Sequence, residues 1–186
     1  MTLGTVPADA AGATTPAFFV GANMARLEID PLERELFQSA ASGDVKALAI
    51  LAHVARQPKS YAQAVPTADA TAAAEAFARL AAVNGGADEW LLLADVLIER
   101  SGLLGDRAHA SRLMAEASDW QRAALDAGEE AAALPLAVTL TLLADDGDEA
   151  AAIDLNKLME GLGPVKAPEV SRTIADVLNN TGAPAA

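Results

Sequence analysis

The apolar residues of this chain recur every three or four positions, which is the period of an α-helix that buries one face. Leu48, Leu51, Ala52 and Ala55, for example, all fall on one side of a helix drawn through them. No apolar–polar alternation is long enough to predict a strand. The sequence therefore predicts an all-α protein.

Residues that start and stop helices divide the chain into about eight helices. Asp30, Pro31 and Glu33 have the order of an N-cap, a first-turn proline and a capping-box glutamate. Thr67 is expected to cap another helix, and Pro135 either kinks the sixth helix or starts it late. The predicted helices cover residues 31–42, 44–56, 67–84, 87–100, 106–127, 129–144, 147–161 and 168–180, and residues 57–66 form a loop.

These elements predict three parts of the chain. Residues 1–29 are rich in Gly, Ala, Thr and Pro without a helical period, which is typical of a flexible arm. Residues 30–182 form the helical domain, and residues 183–186 form a short tail. Phe18 and Phe19 are unusual in such an arm, and three sites remain open for them: the same molecule, a neighbouring copy, or a partner.

A spaced pattern recurs along the helical domain. An aromatic residue, a small residue four positions later and a glycine follow one another, and each glycine leads to a Leu-Ala pair eight residues on. An aspartate followed four residues later by alanine then opens the next helix. The copies are Phe37, Ala41, Gly43 and Leu51-Ala52; Phe77, Ala81, Gly85 and Leu93-Ala94; Trp120, Ala124, Gly128 and Leu136-Ala137; and, less completely, Leu155 and Gly163, with the openings Asp69 and Ala73, Asp106 and Ala110, Asp148 and Ala152.

The pattern has a physical interpretation as stacked helical hairpins. The small residue lets the two helices of a hairpin cross closely, and the aromatic residue fills the space between one hairpin and the next. The glycine ends the helix in a left-handed turn that residues with a Cβ atom avoid. We therefore expect an array of α-hairpins.

Phe77-Ala81-Ala82-Gly85 and Trp120-Ala124-Gly128 resemble the Sel-one-like repeat, a relative of the tetratricopeptide repeat. The resemblance extends from Phe37 to Gly163, although alanines stand where that family has the glycine of its Leu-Gly pair. It implies a short right-handed superhelix. It also implies a scaffold, chaperone or adaptor that holds a peptide or domain on its concave face.

Charge narrows the range of partners. The formal net charge is -13, and residues 88–160 contain sixteen acids and five bases, a local charge of -11. Such a surface repels nucleic acid and anionic lipid and attracts a basic partner. It also keeps an alanine-rich protein in solution, which is the simpler interpretation.

The sequence predicts neither membrane insertion nor secretion. The uncharged stretch from Ala131 to Ala144 has 14 residues, against about 20 for a helix that spans a bilayer. The first residues lack the basic region of a secretory signal. A cytoplasmic location is the resulting prediction.

No catalytic, cofactor or metal site is predicted, and we expect a non-enzyme. The chain has no cysteine, and His53 and His109 stand apart without a neighbouring ligand pattern. Asp145-Asp146-Gly147-Asp148-Glu149 differs from a calcium loop in its glycine position. We interpret it as a helix cap and an acidic first turn, with contact to a basic partner as the alternative.

The leading functional hypothesis is a protein-binding scaffold or adaptor that holds a basic segment of another protein. The alternatives are a secretion-type chaperone and a structural subunit that forms a homo-oligomer through its arm. Helices after Gly85 and Gly128 would line the binding face, and Phe18 and Phe19 would cover it when empty. The candidate partner-binding residues are Asp88, Glu89, Trp90, Asp95, Glu129, Glu130, Asp145, Asp146, Asp148, Glu149, Phe18 and Phe19.

The repeat register leads to a first prediction, because it places Trp120 between hairpins and leaves Trp90 as an exposed contact. Replacing Trp120 with alanine should lower the free energy of unfolding by about 3–5 kcal/mol, the cost of emptying an aromatic core site. Urea denaturation of the two proteins measures this difference. A loss below about 1 kcal/mol would mean that the register is wrong.

Overall fold

The computed structural model describes residues 31–57 and 67–181. The arm with Phe18 and Phe19, most of the predicted loop and the tail lie outside these residues. Within them the chain forms helices and no strand, so the predicted all-α class is confirmed. The helices are α1 (Pro31–Ala41), α2 (Val45–Arg56), α3 (Ala68–Asn84), α4 (Ala87–Gly102), α5 (Arg107–Asp126), a 3-10 turn (Glu130–Ala132), α6 (Ala133–Asp145) and α7 (Glu149–Thr181).

The last helix consists of two helical segments. Gly163 has φ 71° and ψ -178°, so it breaks α7, and Pro164 follows it. The second segment therefore begins at residue 164 rather than at the predicted residue 168. Proline suits this position because the first residues of a helix have no intrahelical acceptor for their N–H groups. Pro135 is tolerated for the same reason, since α6 begins at Ala133 and Pro135 lies in its first turn.

Each helix packs mainly against the helices next to it in sequence. Contacts across the helices show that neighbours run antiparallel. Glu75 in the first half of α3 meets Arg100 near the end of α4. Arg107 at the start of α5 likewise meets Asp146 just after α6.

Ion pairs also connect alternate helices: Arg56 of α2 contacts Glu99 of α4 at 2.6 Å, and Arg122 of α5 contacts Asp154 of α7 at 2.8 Å. The helices thus form an array of antiparallel hairpins, whereas its superhelical hand and its repeat family stay predictions.

The Leu-Ala pairs of the repeated pattern lie in the core. All three pairs are buried: Leu51 and Ala52 in α2, Leu93 and Ala94 in α4, and Leu136 and Ala137 in α6. The side chain of Phe77 packs against two clusters, one centred on Leu93 and the other on Leu51, and it therefore links two hairpins. This is the position that the pattern assigned to the aromatic residue.

One detail of the predicted register is wrong. In α1 the buried small residue is Ala40 rather than Ala41, which is exposed. The error arises because alanine is so frequent that a neighbouring alanine fits the same spacing. In α3 the cap is Thr67, as predicted: its hydroxyl accepts a hydrogen bond from the Ala70 N–H at 3.2 Å, and Asp69 lies in the first turn.

Left-handed glycines close three of the turns. Gly43, Gly128 and Gly147 have φ values of 89°, 97° and 97°. An acidic residue follows each of them, and its N–H bonds back to the preceding helix, as Asp44 does to Ser39 at 3.1 Å. The carboxylate of Asp44 then accepts the Ala47 N–H and caps α2. One Gly-acid pair therefore ends one helix and starts the next.

Gly85 does not use this turn, contrary to the prediction. Its φ is -93°, which other residues adopt without strain. A Cβ atom at this position would instead lie 2.7 Å from the Ala81 carbonyl oxygen and 2.7 Å from Glu89. Glycine is required here by the close approach of the chain rather than by a left-handed conformation.

This difference leads to a prediction for two adjacent glycines. Gly85→Ala should destabilise the protein by about 1–3 kcal/mol, as overpacking does. Gly86→Ala is the matched control, because a Cβ atom at Gly86 would meet no other atom within 4 Å and the φ of this residue is -121°. Thermal or urea unfolding of both variants measures the effect. Equal stabilities would contradict the proposed role of close approach at Gly85.

Candidate functional site

A groove lies where α5 ends, the 3-10 turn begins and α7 bends at Gly163. Its volume is about 780 Å³, within the roughly 300–1,000 Å³ of ligand-binding clefts. The bend directs the second segment of α7 back across the start of α6. We call this cavity the bend groove, and its lining residues are Leu125, Glu130, Ala131, Ala133, Leu134, Gly161, Leu162, Lys166, Glu169, Val170 and Thr173.

The lining of the bend groove is apolar with a charged rim. Leu134 remains 37% exposed, which is unusual for a leucine between packed helices. At the rim, the Lys166 ammonium group donates a hydrogen bond to Glu130 at 2.6 Å and lowers the pKa of that carboxyl group. Both side chains are more than half exposed, so the pair is solvated. Such a groove suits an amphipathic segment that offers both apolar and charged side chains.

The bend groove lies at an acidic end of the array. Because neighbouring helices are antiparallel, the turn after α3, the turn after α5 and the bend of α7 share one end. Acidic residues lie in or beside these turns in each case. They are Asp88, Glu89, Asp126, Glu129, Glu130 and Glu160. Four of the predicted partner-binding residues therefore lie at the same end as the groove.

Two of these four residues also stabilise helix starts. The Glu89 carboxylate accepts the Gly86 N–H at 2.8 Å, and the Glu129 carboxylate accepts the Ala131 N–H at 3.3 Å. Asp88 is exposed. Among the predicted residues that the structure describes, Glu130 alone lines the bend groove itself.

The other predicted acidic residues lie elsewhere. Asp95 is in the middle of α4; desolvation raises the pKa of its carboxyl group, and the charges of Arg56 and His53 oppose that shift. The residues from Asp145 to Glu149 lie at the opposite end of the array, where Asp146 accepts hydrogen bonds from Arg107 and Ser111.

The DDGDE sequence acts as a cap. Asp148 accepts the N–H groups of Ala150 and Ala151 at 2.9 and 3.1 Å, and it starts α7. The interpretation as a helix cap is therefore confirmed.

Trp90 is not the exposed contact that the sequence predicted. Its indole N–H donates a hydrogen bond to the Ala82 carbonyl at 3.1 Å, and its ring packs against the core. The ring centroids of Trp90 and Trp120 are 6.4 Å apart with an interplanar angle of 37°. Trp120 is likewise only partly buried. The two rings support each other between α4 and α5, a contact that sequence spacing could not reveal.

A charge network around the buried Glu75 joins α3, α4 and α5, and sequence reasoning missed it. The Glu75 side chain is 9% exposed and contacts both Arg79, at 2.7 Å, and Arg100. Arg79 also donates two hydrogen bonds to Glu116, one of them at 2.8 Å, and lowers the pKa of that carboxyl group. Two arginines balance two glutamates, so the network satisfies its own charges. This arrangement ties helices together and offers no free group for acid–base chemistry.

The described part of the chain has no group of three or more His, Cys, Asp or Glu side chains arranged to hold a metal ion. None of its helices combines the length and apolar character needed to cross a bilayer. No protein-family model, curated protein or solved structure matches the chain. The function must therefore be argued from the groove and the charges.

The charge network leads to a prediction about stability. Arg79→Met should cost about 2–3 kcal/mol, somewhat less than the roughly 3–5 kcal/mol of a fully buried pair, because Arg100 still contacts Glu75. Arg122→Met is the control. Arg122 is 39% exposed, like Arg79 at 40%, but its partner Asp154 is 28% exposed whereas Glu75 is 9% exposed, so the loss should be much smaller. Urea unfolding at pH 7 compares the three proteins.

The pH dependence of stability in other variants of this network gives a second measurement. The lowered pKa of Glu116 means that its stabilisation is complete above the carboxyl's unfolded pKa and is lost as pH falls through the folded pKa. Glu116→Gln should therefore flatten the loss of stability on acidification, whereas Asp88→Asn should not. An unchanged pH profile in Glu116→Gln would contradict the role of Arg79 as its partner.

Proposed function

We propose that this chain is a protein-binding scaffold that holds a segment of another protein in the bend groove. The observation that carries the proposal is an open apolar groove at the acidic end of the array. Its volume exceeds what one side chain fills, and it is bounded by packed helices. A scaffold that presents such a groove can bind an amphipathic segment by the general helix-in-groove mode.

The chemistry of the groove specifies the segment that fits. Apolar side chains of the partner would contact Leu134, Leu162 and Val170 in the lining. Basic side chains would lie over Glu169 and the neighbouring acidic turns. The net charge of -13 would also attract a basic segment from solution and speed its association.

A structural subunit is the second candidate, and one observation favours it. Leu80 and Val83 of α3 are 51% and 76% exposed and lie on one helical stripe. Two copies of the chain could pack through this stripe. Sedimentation of the purified chain separates the two functions, because self-association through α3 requires no partner and should be lost in Val83→Asp.

The proposed function predicts different effects for two exposed apolar residues. In Leu134→Asp, the affinity for the partner should fall at least tenfold, because a carboxylate would enter the apolar lining. Ile153→Asp is the matched control: Ile153 is 55% exposed but does not line the groove. The partner is first recovered from the native host with the tagged full chain, and each affinity is then measured by titration calorimetry.

Salt provides the test of charge. Raising the salt from 0.1 M to 1 M shortens the Debye length from about 10 Å to about 3 Å, so association with a basic segment should slow markedly. Glu169→Gln should reduce this salt dependence while its circular dichroism spectrum stays unchanged. An acidic partner, an affinity indifferent to salt, or equal losses in Leu134→Asp and Ile153→Asp would each overturn the proposal.

A further inference from the structure

A second groove lies between α1 and α2, in the hairpin that is farthest along the sequence from α7. Its volume is about 320 Å³. The apolar side chains of Leu36, Ala47 and Ile50 form part of its lining, and Ile50 is 48% exposed. The polar residues at its edge are Glu35, Ser39, Asp44 and Lys46. We call it the end groove.

The end groove lies on the terminal hairpin of the described array. Helix α1 packs mainly against α2, whereas an inner helix such as α4 packs against the helices on both sides of it. Terminal hairpins of a helical array need a covering element or a polar outer surface, because no further hairpin buries their apolar side chains. Ile50 and Val54, which is 54% exposed, show that the surface of α2 is apolar here.

The chain itself supplies a segment that fits the end groove. Thirty residues precede Pro31, and within them residues 10–25 carry no charge. Phe18, Phe19 and Val20 are the bulky apolar residues of that uncharged stretch, together with Met24. An uncharged segment enters an apolar groove without desolvating a charge. Glycine and alanine around these residues would let the backbone approach α1 and α2 closely.

The connection to α1 also permits this contact. Eleven residues lie between Phe19 and Pro31, and the twelve Cα–Cα steps of an extended chain between them span up to about 40 Å. Helix α1 is only about 16 Å long, so Phe19 can reach any point of the end groove. A short tether also gives an effective concentration in the millimolar range, which favours this segment over a second copy at ordinary protein concentrations.

We propose that the segment Phe18-Phe19-Val20 docks in the end groove and covers the N-terminal hairpin of the array. The aromatic rings contact Leu36 and Ile50 and withdraw them from water. Docking there leaves the bend groove open, so the segment acts as a cap for the array and not as a competitor of the partner. This inference stands apart from the proposed function, which concerns the groove lined by α5, the 3-10 turn, α6 and α7.

Photo-crosslinking of the full chain tests the proposal. A benzoylphenylalanine placed at position 19 should crosslink within one molecule to residues of α1 and α2, as mapped by peptide mass spectrometry. The same probe at position 6 is the control and should give few crosslinks there. Ile50→Asp should reduce the crosslinking yield from position 19 at least fivefold. Val83→Asp, which changes an exposed residue of α3, should leave that yield unchanged.

Hydrogen exchange gives a second readout in the full chain. The double variant Phe18→Ser and Phe19→Ser should raise amide exchange in residues 45–56 at least tenfold, and the control Leu3→Ser and Val6→Ser should not. Crosslinks between two molecules would instead assign the end groove to a second copy. Crosslinks to the bend groove, or exchange unchanged by the Phe18 and Phe19 substitutions, would also overturn the proposal.

Discussion

The close approach of helices through alanine is the constraint on which this structure depends. Ala81, Ala94, Ala124 and Ala137 are completely buried where neighbouring helices meet. Small side chains permit short distances between helix axes, but each contributes little apolar area to the core. The large apolar side chains are consequently concentrated at a few positions, such as Leu93 and Leu97, both of which are fully buried. The array is therefore held by many close helix–helix contacts that each bury little apolar area, rather than by one core of bulky side chains.

Polar interactions supplement these close helix–helix contacts. One network of ion pairs connects three consecutive helices through Glu75, Arg79, Arg100 and Glu116. The Arg122–Asp154 pair connects α5 to α7. Many acidic residues that looked available for a partner from the sequence are already engaged, either in such pairs or as caps of helices.

The sequence predicted the elements well because their determinants are local. Thr67 caps α3, and Gly43 and Gly128 take the left-handed conformation expected from their positions at helix ends. The repeat spacing also located the buried Leu-Ala pairs. These features depend on residues within a few positions of one another, so a single sequence contains the information.

The candidate site could not be predicted in the same way. The bend groove exists because Gly163 directs Lys166 toward Glu130, a residue 36 positions away. The Trp90–Trp120 contact and the Glu75–Arg100 pair likewise depend on how helices pack, which periodicity does not encode. Gly85 shows the same limit. Its spacing predicted a left-handed turn, but glycine is needed there because the Ala81 carbonyl oxygen lies too close for a Cβ atom.

The ion pairs between alternate helices restrict how this array could change in length during evolution. A hairpin inserted between α3 and α5 would separate Arg79 from Glu116, and one inserted between α5 and α7 would separate Arg122 from Asp154. Duplication of a hairpin inside the array would therefore break existing contacts before new ones formed. Addition before α1 or after α7 would break none of these pairs, so the array can lengthen at its two termini without losing them.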